Sequence, residues 1–199
     1  MYGEMAEKIL NTADSIMVQR GYSAFSYADI SEAVGIRKAS IHHHFPTKAG
    51  LAVAVLRVHR EKLVQGTEML DTQIECPLGR LQAYIQHWEG CIRGRTASFC
   101  VAALLGAEMP SLPEEVQSEV RLHFSILGEW LERTLKAGVK MQVVKLQNTA
   151  AIESQTLMAV VHGGMLSARA MENCDVFKIV TDAALNRISQ GSIELGNRG

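Results

Sequence analysis

Apolar residues along this chain recur at spacings of three and four, with little of the alternation a half-buried strand requires, so the pattern predicts an all-helical protein. The first helix covers residues 4–20, with Ile9, Ala13, Ile16 and Met17 on one face, and Gly21 ends it as a C-terminal cap. Ser26 followed by Asp29 reads as a capping box, so a second helix begins near Tyr27 and stops at Gly35. A third, short helix spans residues 38–44. Pro46 breaks it, and Thr47 caps a long fourth helix over 48–70. After a break at 71–77, a fifth helix covers 78–94 with Leu81, Tyr84, Ile85, Trp88 and Ile92 on one stripe, and a sixth covers 99–109. The seventh follows Pro113, with Glu114 and Glu115 in its first turn and Val116, Val120, Phe124, Leu127, Leu131 and Leu135 along its seam. The eighth and ninth cover 149–171 and 176–189, which makes about nine helices.

Two short helices joined by a tight glycine turn pack at a steep angle and need apolar residues at fixed offsets from the glycine. Around Gly35 these are Ile30, Val34, Ile36 and Ile41, placed to close a small core with Phe25 and Phe45. With Ile41 inside, the helical period turns Arg37, Lys38, Ser40 and one of His42 or His43 outward, a basic face suited to a DNA major groove. Arg37 and Lys38 suit guanine O6 and N7. Lys48, at the start of the fourth helix, is placed to clamp a phosphate with its ammonium and the helix N-terminus.

At these residues the chain resembles the TetR/AcrR family of bacterial transcriptional regulators. The similar positions are Gly21-Tyr22, Phe25-Ser26, Asp29-Ile30, Ala33-Val34-Gly35-Ile36, then Ser40-Ile41-His42-His43-His44-Phe45-Pro46-Thr47-Lys48 and Leu51, within about residues 5–56. Ser31 stands where the pattern usually has alanine, and His42 where it usually has tyrosine. The resemblance implies base reading by Arg37, Lys38, Ala39 and His42, and backbone contacts by Tyr27, Ser40, His43, His44 and Lys48. It further implies a homodimer on a palindromic double-stranded DNA operator, repression, and release by an effector, which is expected to be an unidentified small molecule or a thiol-reactive compound. A helical protein-interaction module that has lost DNA binding is the alternative.

Composition narrows this reading more by exclusion than by support. The 199 residues carry a net charge of −1, and residues 1–62 hold eight of the 20 Lys/Arg and six of the 21 Asp/Glu, so the small positive excess sits with the helix-turn-helix. No apolar run suggests a membrane span, and no basic-then-apolar leader opens the chain, so a cytoplasmic protein is expected. Cys76, Cys91, Cys100 and Cys174 are too scattered for a disulfide framework or a zinc site. Consecutive histidines point about 100° apart on a helix, so His42, His43 and His44 do not converge on one metal ion. Enzyme motifs are missing too, and neither catalysis nor a cofactor is expected.

The expected organisation is an N-terminal three-helix DNA-binding domain over residues 1–48 and a larger helical effector-binding and dimerisation domain over 49–199. The resemblance places a ligand pocket among helices four to eight, for which Trp88, His123, Phe124, Trp130 and Met165 are candidates. Plain core packing is the competing role for each. Cys100 opens a stretch resembling a G-C-L-x-x-x-L-x-x-E pattern from a branch of the family with electrophile and redox sensors, with Phe99 replacing the glycine and Glu108 ending it. A thiol at a helix N-terminus near Arg93 and Arg95 would have a lowered pKa and would react, whereas a buried Cys100 would be inert. In the last two helices, Val160, Gly163, Gly164, Ser167, Val176, Ile179, Val180 and Ala183 are small or β-branched. The resemblance assigns them to a four-helix dimer interface, against the alternative of covering their own subunit.

Overall fold

In the computed structural model, which describes residues 3–94 and 99–189, the chain forms nine α-helices and one 3-10 turn among the described residues. They are α1 (Glu4–Arg20), α2 (Tyr27–Val34), α3 (Lys38–His44), α4 (Lys48–Gln73), α5 (Pro77–Arg93), α6 (Val101–Gly106), α7 (Glu114–Lys140), α8 (Ala150–Ala170) and α9 (Asp175–Ile188), with the 3-10 turn at Met109–Ser111. The sixth helix is shorter than the apolar spacing suggests. Ala107 and Glu108 donate to carbonyls three residues back, at 3.1 and 2.9 Å, which tightens the end of the helix ahead of Pro110 and Pro113. No described helix is long and apolar enough to cross a membrane.

The chain divides into two compact units, Met1–Leu63 with Phe99–Ser125, and Val64–Ser98 with Ile126–Gly199. The helix-turn-helix expected at 1–48 thus shares a compact unit with the first part of α4, with α6 and with the start of α7.

In the first unit α1 packs on α2, α3 and α6. Its buried face is Ala6, Ile9, Leu10, Ala13 and Met17, which meets a core that also holds Phe25, Ile30, Ile41, Leu51 and Leu56. Fully burying an aliphatic side chain of this size is favourable by roughly 1.5–3 kcal/mol, so these positions account for the cohesion of the three short helices. Polar links add direction. His59 on α4 meets Asp14 on α1 at 2.7 Å, and Glu119 on α7 accepts from Arg57 at 2.8 Å and from Arg60.

In the second unit α8 packs along α9 and α5 also meets α9. Gly164 lets α9 approach: a Cβ there would lie 2.9 Å from Val180 Cγ2 and 3.2 Å from a Phe177 ring carbon. Arg187 on α9 pairs with the buried carboxylate of Glu153 on α8, which Asn148 also supports through its backbone N–H at 3.2 Å. Arg80 donates to the carbonyls of Ile74, at 2.7 Å, and Asp71, at 3.1 Å, and so closes the C-terminal end of α4.

Candidate nucleic-acid interface

The site is built from the turn outward. Ser26 caps α2: its hydroxyl accepts from Ala28 and Asp29 amides at 3.2 and 3.4 Å, while the Asp29 carboxylate accepts the Ser26 amide at 2.8 Å. Such a reciprocal cap stabilises a helix start by about 1 kcal/mol. The Ser26 hydrogen bonds, first among the causes, hold the Asp29 carboxyl below its usual pKa. At the other end, Gly35 adopts φ 75° and ψ 34°, the left-handed conformation that glycine takes without strain, and its amide closes on Ser31 O. Ile30, Val34, Ile41, Phe25 and Phe45 are all buried around this turn.

With Ile41 fully buried, α3 leaves Arg37, Lys38, Ala39, His42, His43 and His44 exposed and Ser40 half-buried. Arg37 is the N-cap residue of α3, in extended conformation. Among the described residues no carboxylate pairs with Arg37 or Lys38, so both cations are open to an anionic partner. The His42 ring lies edge-on to Tyr27 at 4.7 Å, with Nδ1 3.2 Å from the carbonyl of Pro46. A carbonyl only accepts, so Nδ1 carries the proton in that contact, and a neutral His42 presents an acceptor at Nε2.

Two residues expected to contact the DNA backbone, Tyr27 and Lys48, have partners within the chain. Tyr27 is buried, and its hydroxyl donates to the carbonyl of Phe45 at 2.6 Å, so its oxygen joins α2 to the end of α3 instead of facing outward. Burial, with a smaller contribution from Tyr22, pushes its pKa up to about 12. Lys48 is the second case. Its ammonium lies 4.5 Å over the Tyr22 ring and 4.7 Å over the Phe25 ring and donates to Ser23 O at 3.5 Å. Two aromatic faces form a cation–π site, and partial burial lowers the Lys48 pKa against the opposing pull of Glu108 and Asp29. The helix start that Lys48 opens is intact, with Thr47 Oγ1 accepting the Gly50 amide at 2.9 Å.

The candidate effector residues fall in both units. In the first, Cys100 Sγ lies 3.7 Å from His123 Nε2, and the His123 ring is edge-on to half-buried Phe124. In the second, Trp130 is fully buried, edge-on to Tyr84 at 5.6 Å, with its indole N–H on Asp71 at 3.2 Å. Met165 is buried and Trp88 half-buried. Trp130 and Met165 therefore have core surroundings.

Of the two alternatives for Cys100, a reactive thiol at a helix start or a buried core residue, the structure has the buried one. Burial pushes its thiol up from the ordinary value, and the amides of Ala103 and Ala102 at the start of α6 offset this only in part. Arg93, one of the two cations expected to assist, is engaged by Glu89 at 3.0 Å and Asp175 at 2.6 Å. Arg95 lies outside the described residues.

Of the residues assigned to a dimer interface, Gly164 is buried against α9 of its own chain. Gly163, Ile179 and Ala183 are exposed, and Val160, Ser167, Val176 and Val180 are half-buried. Leu166, on the same helix as Gly163, is 57% exposed and Ile179 66%, both open for large aliphatic side chains on a pair of packed helices.

Two further residues have roles that the sequence pattern does not assign: Ser31, whose hydroxyl donates to Ile36 O at 2.6 Å, and Glu108, whose carboxylate reaches Tyr22 and Ser23. The only hint of the first was its departure from the alanine of the pattern.

Comparison with known proteins agrees with this geometry. The family model described as bacterial regulatory proteins, tetR family, matches residues 9–55. A crystal structure of a TetR-family transcriptional regulator from Agrobacterium tumefaciens is similar over 92% of this chain and 97% of that one, at 46% sequence identity and a TM-score of 0.91. The HTH-type transcriptional repressor NemR of Escherichia coli (strain K12) is 26% identical over 166 residues, 82% of this chain and 83% of NemR. The reduced form of E. coli NemR shares the fold, with a TM-score of 0.81 at 22% identity over 94% of this chain and 98% of that one.

Proposed function

The chain belongs to the TetR family of bacterial transcriptional regulators, and we propose that it is a repressor that binds a palindromic operator as a homodimer and is released by a small-molecule effector. The observation that carries this reading is the exposed start of α3, where Arg37 and Lys38 stand open to an anionic partner beside Ala39 and His42. Major-groove recognition needs such a face, and each bidentate pair with a base contributes on the order of 1–3 kcal/mol of discrimination. His43, His44 and Ser40 flank it as phosphate contacts. Repression is favoured because NemR, similar over most of the chain, is described as a repressor.

A single α3 reads one half-site, so an operator of two half-sites needs two chains about a two-fold axis. We assign the contact between them to α8 and α9, where Gly163, Leu166, Ile179 and Ala183 lie open. Residues 1–48 then serve as the DNA-binding element and 49–199 as the effector-binding and dimerisation part. Release is a population shift: an effector that favours the DNA-incompetent arrangement moves the equilibrium by its affinity difference and no more. A reversible ligand is preferred over thiol chemistry, because Cys100 is buried and its pKa raised. The setting is the cytoplasm, where the operator is found.

Electrophoretic mobility shift of the full chain on a fragment of its own promoter tests the reading. Specific retention at moderate salt, with two chains per operator, is the expected result. Retention no better than on a scrambled duplex refutes it.

A further inference from the structure

Glu108 ends the patterned stretch that begins at Cys100, and the DNA-contacting residues do not account for it. Its side chain crosses to the turn between α1 and α2, more than eighty residues away in the chain. Oε1 accepts the Tyr22 amide at 2.7 Å, and Oε2 accepts the Ser23 amide at 2.9 Å and the Ser23 hydroxyl at 2.6 Å. One carboxylate thus satisfies three donors of a single turn.

The turn is shaped to receive it. Gly21 adopts φ 79°, a conformation that favours glycine, and a Cβ there would lie 3.0 Å from Glu108 Cδ and closer still to Oε1. On the carbonyl side, Lys48 donates to Ser23 O at 3.5 Å while stacking on Tyr22 and Phe25. The backbone of Glu108 is also fixed. Its amide donates to Leu105 O at 2.9 Å, and its carbonyl accepts the Ser111 amide at 2.8 Å and the Ser111 hydroxyl at 2.9 Å. Burial works against the ionised carboxylate, but the Ser23 and Tyr22 hydrogen bonds and the charge of Lys48 outweigh it and keep the pKa low.

We propose that Glu108 is a positioning residue for operator binding: its carboxylate, seated in the Gly21–Ser23 turn, links the end of α6 to the orientation in which α2 and α3 are presented. The turn runs directly into Ser26, the N-cap of α2, and α2 carries α3 through Gly35. Any displacement of α6 that withdraws this carboxylate loosens the turn and weakens DNA binding, without touching a DNA-contacting residue. This deepens the DNA-binding reading and rests on it.

The sign of one substitution separates positioning from charge. Glu108→Gln keeps the size of the side chain and removes a negative charge from a DNA-binding unit, which by electrostatics alone strengthens binding to a polyanion. Positioning predicts the reverse. Operator affinity of the full chain falls about tenfold, since hydrogen bonds to a charged acceptor are lost. Hydrogen exchange of a peptide spanning residues 20–26 accelerates in the absence of DNA, and the slope of log affinity against log salt stays that of the wild type, because no phosphate contact has gone.

Ser23→Ala, which removes only the hydroxyl donor, gives the same changes at smaller size and serves if the Glu108 variant folds poorly. Unchanged or tighter binding by Glu108→Gln, or a changed salt slope, overturns the proposal, as does unchanged exchange of the 20–26 peptide. Failure of the wild-type chain to retain its own promoter fragment overturns the DNA-binding reading instead.

Discussion

Ser31 and Ile36 are tied together twice across the helix-turn-helix bend: the Ser31 hydroxyl donates to the Ile36 carbonyl at 2.6 Å, and the Ile36 amide donates back to the Ser31 carbonyl at 3.2 Å. The second bond belongs to the backbone of the turn. The first exists only because residue 31 is serine. Ser31→Ala removes this bond at the half-buried Ile36, so the loss is about 0.5–1.5 kcal/mol. Urea unfolding with an unchanged m-value checks this. A loss well above 2 kcal/mol would mean that Ser31 holds more than the turn.

The two positive-φ glycines of this unit differ in what a side chain would meet. Around Gly35 nothing lies within 4 Å of a Cβ, so Gly35→Ala is opposed only by backbone strain, about 1–2 kcal/mol. Gly21→Ala adds to the same strain a collision with the Glu108 carboxylate. Its loss of thermal stability should exceed that of Gly35→Ala, and should fall back toward it when Glu108→Ala is introduced as well. Additive effects of Gly21→Ala and Glu108→Ala would contradict the geometry.

The Lys48 ammonium sits over Tyr22 and Phe25, and we propose that this position, more than a phosphate, is its role. Replacing it with methionine keeps most of the apolar stem. Lys48→Met is expected to leave the slope of log operator affinity against log salt at its wild-type value, whereas losing a lysine from a phosphate lowers that slope by about 0.9. A drop of that size would show that Lys48 swings out onto DNA.

Cys100 should be a slow thiol. It is buried, its pKa lies above the ordinary 9.0, and it shares the chain with exposed Cys76. Because the thiolate is the nucleophile, iodoacetamide at pH 7.5 followed by peptide mass spectrometry should find Cys76 labelled first and Cys100 only slowly, with Cys100 accelerating on unfolding. The folded pKa being raised, this group also contributes stability that is present below pH 9 and is lost as pH rises further. Preferential labelling of Cys100 in the folded chain would restore it as a sensor.

These cases mark where the sequence was legible. The helices around the turn were readable because local chemistry sets their ends: Gly21, the Ser26–Asp29 box, Gly35, Pro46 and Thr47 each act within four residues. The exposed face of α3 followed from burying Ile41. What stayed hidden depends on partners distant in the chain. The Tyr27 hydroxyl is engaged by a carbonyl eighteen residues away, the Lys48 ammonium by rings more than twenty residues back, and the Tyr22 and Ser23 amides by Glu108. Cys100 illustrates a competition of effects. The helix start was visible and acts in the expected direction, but the burial that outweighs it is a tertiary property that periodicity does not report.

The central claim is that the cationic start of α3 reads an operator. Its most direct test is the ratio of affinities for the operator and a scrambled duplex of equal length, measured for the wild-type chain and for the Arg37→Ala and Lys38→Ala variants. A loss of about 1–3 kcal/mol per substitution on the operator is predicted, with a smaller loss on the scrambled duplex, so that the ratio falls by roughly three-fold to a hundred-fold. Variants that keep the wild-type ratio would contradict it.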